Sequence, residues 1–219
     1  MTKSEIRARI EEIGIIASVR VSNPDYARFA AEAVYNSGIP IAEITLTTPN
    51  AIELISQLTK KLPNMVIGAG TVLDLGSARR CVDAGAKFLT SPGLVREVVE
   101  FALQSNVVVF PGALTPSEVI EAWKAGSDFV KIFPCEPVGG HHYVRSLKVP
   151  LPQVPLIASG GVNQQSAVNF ILAGATALGI GSELIPREAL KAKQEDQIRE
   201  LSRRFLAAVK EGRAQLSPL

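Results

Sequence analysis

A chain of 219 residues with 47% hydrophobic and 20% charged side chains can bury a full core, which excludes a disordered segment or a tethered miniprotein. Its 23 Lys and Arg against 21 Asp and Glu leave a net charge of +2, too small and too dispersed to advertise a nucleic-acid or membrane surface. Cys81 and Cys135 are too few for a disulfide framework; among apolar neighbours each reads as a reduced, packed thiol, so a cytoplasmic location is expected. Residues 1–14 carry Ile6, Ile10 and Ile13 at helical spacing without an apolar h-region, which predicts a helix rather than a signal peptide or anchor. No later stretch reaches membrane-spanning length.

In chain order, short β-branched runs at 15–20, 41–46, 66–72, 87–90, 107–110, 129–133, 156–159 and 177–181 predict eight strands. Between them apolar residues recur with helical period, as in Tyr26, Phe29, Ala30, Ala33 and Val34, or Val95, Val98, Val99 and Ala102. Such alternation implies a parallel sheet. Thr48-Pro49 and Thr115-Pro116 read as helix N-caps followed by proline at the first helical position, the second with Glu118 completing a capping box. Gly38, Gly85, Gly126 and Gly174 each close a helical stretch shortly before a strand, the place for a left-handed C-cap. Eight units of about 27 residues predict an α/β chain with one domain over 1–219: a (β/α)8 TIM barrel with an extra N-terminal helix. One final helix is expected from 187 to about 212. A doubly wound open sheet is the rival, since alternation does not prove closure, but the strand count favours the barrel.

Side chains of a barrel strand alternate between the axis and the surrounding helices, and reactive groups gather at the C-terminal tips. In the sixth run, with Val130 and Ile132 on helices, Phe129, Lys131 and Phe133 point inward. In the second, Glu43 and Thr45 do so, and the two strands face each other across an eight-membered ring. An ammonium group buried beside phenyl rings is costly unless it is paired or neutral. Two readings follow: a structural Lys–Glu ion pair, or a neutral amine that attacks a carbonyl while Glu43 carries protons. In the third run Thr71 is expected to share the inward parity of Ile67 and Ala69, placing a hydroxyl beside Glu43. Gly68 and Gly70 either admit a close approach or kink the strand. The turns Ser91-Pro92-Gly93 and Pro111-Gly112 are expected to shape the pocket.

Strand seven ends in Ser159-Gly160-Gly161 before Asn163, a plausible N-cap, and strand eight ends in Gly179-Ile180-Gly181-Ser182. In this architecture the tips after strands seven and eight recurrently bind phosphate through backbone N–H groups. The same glycines would also suit plain tight turns. Arg20, ending strand one beside strand eight, adds a cation to that corner or is simply solvated. The adjacent His141 and His142 do not share a helix face, so no metal is implied. Gly68-Ala69-Gly70 lacks the third glycine of a dinucleotide fingerprint, so NAD is not implied and no cofactor is expected.

Glu43 in Glu-Ile-Thr-Leu, Thr71 in Gly-Ala-Gly-Thr-Val, Lys131 in Val-Lys-Ile-Phe-Pro and Ser159-Gly160-Gly161-Val162 occur in one order on four strands. With Ser91-Pro92-Gly93 and Gly181-Ser182, the chain resembles the class I 2-keto-3-deoxy-6-phosphogluconate (KDPG) and 4-hydroxy-2-oxoglutarate (KHG) aldolases over nearly its whole length. The resemblance implies a homotrimeric lyase acting on a small-molecule substrate, in which Lys131 forms a Schiff base with pyruvate and Glu43 shuttles protons. It further implies that Thr71 and the Phe133 region contact the pyruvate moiety while Gly160, Gly161 and Ser182 hold a distal phosphate; Arg20, Thr47, Pro92, Ser159 and Gly181 complete the expected substrate-binding set. Several family members carry arginine four residues after the glutamate; here Thr47 stands there, so carboxylate binding rests more on hydroxyls and backbone. Many members have threonine where this chain has Ser159, which keeps the hydroxyl. The rival functions are a phosphosugar isomerase or epimerase with Glu43 as base, and a non-catalytic anion-binding barrel.

Overall fold

The computed structural model describes residues 1–216. Nine strand segments form one sheet: β1 (Ile15–Val19), β2 (Ile41–Thr45), β3 (Val66–Gly70), β4 (Phe88–Thr90), β5 (Val108–Phe110), β6 (Gly112–Ala113), β7 (Val130–Ile132), β8 (Leu156–Ser159) and β9 (Ala175–Ile180). Every paired neighbour is parallel, in the order β5-β4-β3-β2-β1-β9-β8-β7-β6. The two outermost segments, β5 and β6, are halves of one stave interrupted at Pro111, whose nitrogen has no hydrogen for the ladder. One side of this stave pairs with β4, while its carbonyls at Val109 and Pro111 accept from the amides of Asp128 and Lys131, both at 2.9 Å. The ring therefore closes with eight staves, a barrel and not an open sheet. The fifth stave runs on to Ala113, beyond the expected end at 110, because the proline interrupts the ladder without ending the extended chain.

The helices are α1 (Lys3–Ile13), α2 (Pro24–Asn36), α3 (Ala51–Lys61), α4 (Leu75–Asp83), α5 (Arg96–Gln104), α6 (Pro116–Lys124), α7 (Gly140–Lys148), α8 (Ala167–Leu172), α9 (Arg187–Lys191) and α10 (Glu195–Leu216). The capping box of α6 forms as expected: the Thr115 hydroxyl accepts from the Glu118 amide, and the Glu118 carboxylate accepts from the Thr115 amide at 2.7 Å. Gly38, Gly85, Gly126 and Gly174 all lie in the left-handed region, with φ from +90° to +99°.

Two boundaries differ from expectation. Helix α3 starts at Ala51 after a left-handed Asn50, not at Pro49, because the buried Thr48 hydroxyl accepts from the Val21 amide at 3.4 Å and leaves the helix uncapped by it. The last helix is two helices, divided where Lys193 adopts φ +50° and the Gln194 amide returns to the Ala189 carbonyl at 2.8 Å.

Burial separates into two layers. Residues such as Ala42, Ile44, Ile67, Ala69, Val130 and Ile132 pack between staves and helices. Inside the ring, Ile16, Ile41, Val66, Phe88, Phe110 and Phe129 form a second cluster that Ile6 and Ile10 of α1 close from below. The rings of Phe88 and Phe110 lie 5.0 Å apart, and those of Phe110 and Phe129 lie 6.2 Å apart. Helix α1 thus plugs the N-terminal end, fixed further by a 3.0 Å ion pair from Lys3 to Asp128.

This division corrects the reading of the third strand. Ile67 and Ala69 face helices, so the inward positions are Gly68 and Gly70. Thr71 lies past the strand end in a left-handed conformation, φ +59°, where alternation no longer governs its direction.

Candidate active site

Above the phenyl cluster the inward positions turn polar. Glu43 and Lys131 approach from opposite staves, with Lys131 Nζ 3.5 Å from Glu43 Oε2; the residues are 2% and 5% exposed. At an effective dielectric near 20 this separation is worth about 5 kcal/mol of attraction before desolvation is subtracted. Strand pairing places Glu43 beside Gly68 and Thr45 beside Gly70. A Cβ at Gly70 would stand 2.0 Å from Glu43 Oε1, and one at Gly68 would stand 2.3 Å from the Phe88 ring. Both glycines therefore make room for a neighbouring side chain, and Gly70 is what admits the carboxylate.

Glu43 Oε1 is buried and has no hydrogen-bond partner among the described residues. An unsatisfied buried carboxylate oxygen is expensive and is ready to accept a proton or a hydroxyl hydrogen. Thr45, also inward, donates to the Val19 carbonyl at 3.2 Å and shares a 2.9 Å hydrogen bond with the Thr47 hydroxyl. Lys131 Nζ lies 5.4 Å from the Phe133 ring centroid, so its surroundings are an aromatic face on one side and a carboxylate on the other.

The amine opens into a cavity of about 880 Å³ at the C-terminal rim, between the tips of β1, β7, β8 and β9. Phe133, Ser159 and Arg20 line it with Lys131, and so do Gly160, Gly161, Gly181 and Ser182. Gly160 and Gly161 have φ of +85° and +91°, and a Cβ at Gly161 would fall 2.1 Å from Glu136 Cβ. Only glycine fits this tip. Asn163 caps the turn before α8, its Oδ1 accepting from the Ser166 amide at 2.9 Å.

The sequence-predicted residues thus fall into two groups. Lys131 and the residues at the tips of β1, β7, β8 and β9 converge on the cavity, with Glu43 against the lysine. Thr47 and Pro92 are exposed and Thr71 is half-buried, near the ends of β2, β4 and β3; among the described residues these three do not line the cavity. Sequence reasoning missed Ser18, which faces the cavity and pairs in register with Glu43; the inward parity of Ile16 would have pointed to it. It also missed Arg187 and Lys191, which line the cavity from α9, because that helix was read as the start of a longer one.

His141 and His142 start α7, with burial the largest cause holding the His141 pKa below its usual value. Among the described residues no three His, Cys, Asp or Glu gather as a metal cluster. Both cysteines are free and buried, and burial pushes their thiols up to about 11.

A (β/α)8 barrel whose rim holds a buried lysine against a carboxylate, open to a cavity, is built for carbonyl chemistry. The chain belongs to the KDPG and KHG aldolase family, whose sequence profile matches residues 6–201. It is 29% identical over 196 residues to the KHG/KDPG aldolase of Escherichia coli, a match covering 90% of this chain and 92% of that one. It is 31% identical over 183 residues to the 2-dehydro-3-deoxy-phosphogluconate aldolase of Pseudomonas aeruginosa, covering 84% and 83%. Among solved structures, the KDPG aldolase of Legionella pneumophila, with pyruvate captured as a covalent carbinolamine, superposes with a TM-score of 0.83 at 32% identity, covering 90% of this chain and 95% of that one. No helix among the described residues is long and apolar enough to cross a membrane.

Proposed function

We propose that this chain reversibly cleaves 2-keto-3-deoxy-6-phosphogluconate, or a related 2-keto-3-deoxy or 4-hydroxy-2-oxo acid, to pyruvate and an aldehyde such as glyceraldehyde 3-phosphate. The observation that carries this reading is the buried Lys131 amine, 3.5 Å from Glu43 and opening into a cavity that glycine-rich strand tips also line. In its deprotonated form the Lys131 amine donates its lone pair to C2 of the substrate, forming a carbinolamine; loss of water leaves a protonated imine. Glu43, directly or through a water, takes the proton of the C4 hydroxyl. The C3–C4 electron pair then moves into the imine, releasing the aldehyde and leaving an enamine. Protonation at C3 and hydrolysis return pyruvate and the free amine.

Phe133 and Ser159 line the cavity with Lys131, and in this reading they and backbone groups receive the pyruvate carboxylate end, whereas Thr47, Thr71 and Pro92 lie outside that lining. Arg20, Gly160, Gly161, Gly181 and Ser182 receive the distal phosphate. No metal or organic cofactor enters these steps. The working form is a cytoplasmic homotrimer, which sedimentation of the purified protein would report as three times the chain mass.

A pyruvate-release assay on the phosphorylated and unphosphorylated acids tests the reading. Lys131→Ala should abolish turnover, and Glu43→Gln should lower kcat by roughly 10²- to 10⁴-fold, the range of general acid–base catalysis. Full rate in either variant would refute its assigned role.

A further inference from the structure

The cavity has a wall that the strand tips do not account for. Arg20 enters it from the end of β1, while Arg187 and Lys191, one helical turn apart, enter from α9. The buried Ala189 and Leu190 anchor this short helix. Arginines on α1, α2 and α10 pair with carboxylates, as in Arg7 with Glu11, Arg28 with Asp25 and Arg203 with Glu200. Among the described residues, Arg20 and Arg187 make neither an ion pair nor a side-chain hydrogen bond. That holds although Glu183, one turn before Arg187, lines the same cavity. Lys191 has only an exposed contact to Glu188 at 3.4 Å, a pair of little energetic worth that a stronger anion displaces. Three cationic side chains, Arg20, Arg187 and Lys191, against two carboxylates, Glu136 and Glu183, leave the lining positive away from the Lys131–Glu43 pair.

We propose that Arg187 and Lys191 join Arg20 as a side-chain clamp for the distal anion, making them specificity-determining residues for a phosphorylated substrate. The identity of that substrate rests on the aldolase reading; the anion site itself does not. A guanidinium presents a planar fork that matches two phosphate oxygens, and two unpaired forks from different elements grip a dianion from two directions. The glycine-rich tips supply backbone donors, whereas the clamp supplies full charges. A substrate without the distal phosphate gains nothing from those charges, so the clamp separates phosphorylated from unphosphorylated acids.

The test begins with inorganic phosphate titrated calorimetrically into the full chain at low ionic strength, with no turnover needed. Arg187→Ala should weaken binding about tenfold or more, the scale of one charge-assisted hydrogen-bonding partner. The Arg187→Ala/Lys191→Ala pair should weaken it further, while Arg199→Ala on α10, outside the cavity, should leave it unchanged. In turnover, Arg187→Ala should raise KM for the phosphorylated acid and not for its unphosphorylated counterpart. Absence of measurable phosphate binding by the wild-type chain, wild-type affinity in Arg187→Ala, or equal loss on both acids would overturn the clamp. An inactive wild-type chain that binds phosphate through Arg187 would refute the aldolase reading and keep the clamp; an active one whose Arg187→Ala variant binds phosphate unchanged would do the reverse.

Discussion

At Gly70 a single added methyl group would come within 2.0 Å of Glu43 Oε1, so the carboxylate stands against Lys131 only because residue 70 lacks a side chain. Gly70→Ala is therefore expected to lower kcat by about 10²-fold or more through displacement of Glu43, with the fold retained by circular dichroism. An unchanged kcat would show that the carboxylate is not used where it stands. The thiols give a second residue-scale expectation. Burial holds Cys81 and Cys135 at about 11 against an ordinary 9.0, so between those values the unfolded chain loses protons that the folded chain keeps. The resulting stabilisation, roughly 2–3 kcal/mol per thiol, is full below pH 9 and is lost as pH rises through 11. Urea midpoints should fall over that interval, and at pH 8 a thiol reagent should modify neither cysteine in the native chain and both in urea; a fast-reacting native thiol would contradict the burial. At this scale Lys131 and Glu43 were legible because strand alternation has period two, and a charge at an inward position stands out. Thr71 was not, since the strand's inward positions are the two glycines, which carry no side chain to mark the phase, and its left-handed backbone lies beyond the alternation.

The helices illustrate which element signals carry through to structure. Thr115 and Glu118 satisfy each other's backbone partners within four residues, a local arrangement that needs no tertiary help. Thr115→Ala should cost about 1 kcal/mol and lower Tm by about 2–4 °C without changing kcat, which calorimetry and turnover together would measure. A Tm unchanged within error would mean that α6 does not depend on this cap. Thr48-Pro49 has the same local spelling and yet does not cap α3, because the Thr48 hydroxyl is claimed by the Val21 amide, 27 residues earlier. The break between α9 and α10 was equally hidden: Lys193 is not a glycine, and a left-handed lysine leaves no mark on the hydrophobic period. The break separates from α10 the short helix α9, whose Arg187 and Lys191 line the cavity.

At the scale of the whole molecule, closure of eight parallel staves sends every strand tip to one rim, and α1 seals the other end with Ile6 and Ile10. The interior is accordingly graded from a phenyl floor, through the Lys–Glu pair, to a cationic, glycine-rich mouth. A ketone entering from the rim passes the cationic mouth and reaches the amine where a proton acceptor is at hand. Sequence periodicity showed the staves and the parity of the second and sixth, but neither the parity of the third nor closure, which depends on hydrogen bonds between the fifth stave and the chain from Asp128 to Lys131. The most direct test of this arrangement is reduction of the wild-type chain with borohydride in the presence of pyruvate, followed by peptide mapping. One adduct per chain on Lys131, with irreversible loss of activity and no labelling of Lys131→Ala, is the predicted result. No adduct, or an adduct on another lysine, would contradict it.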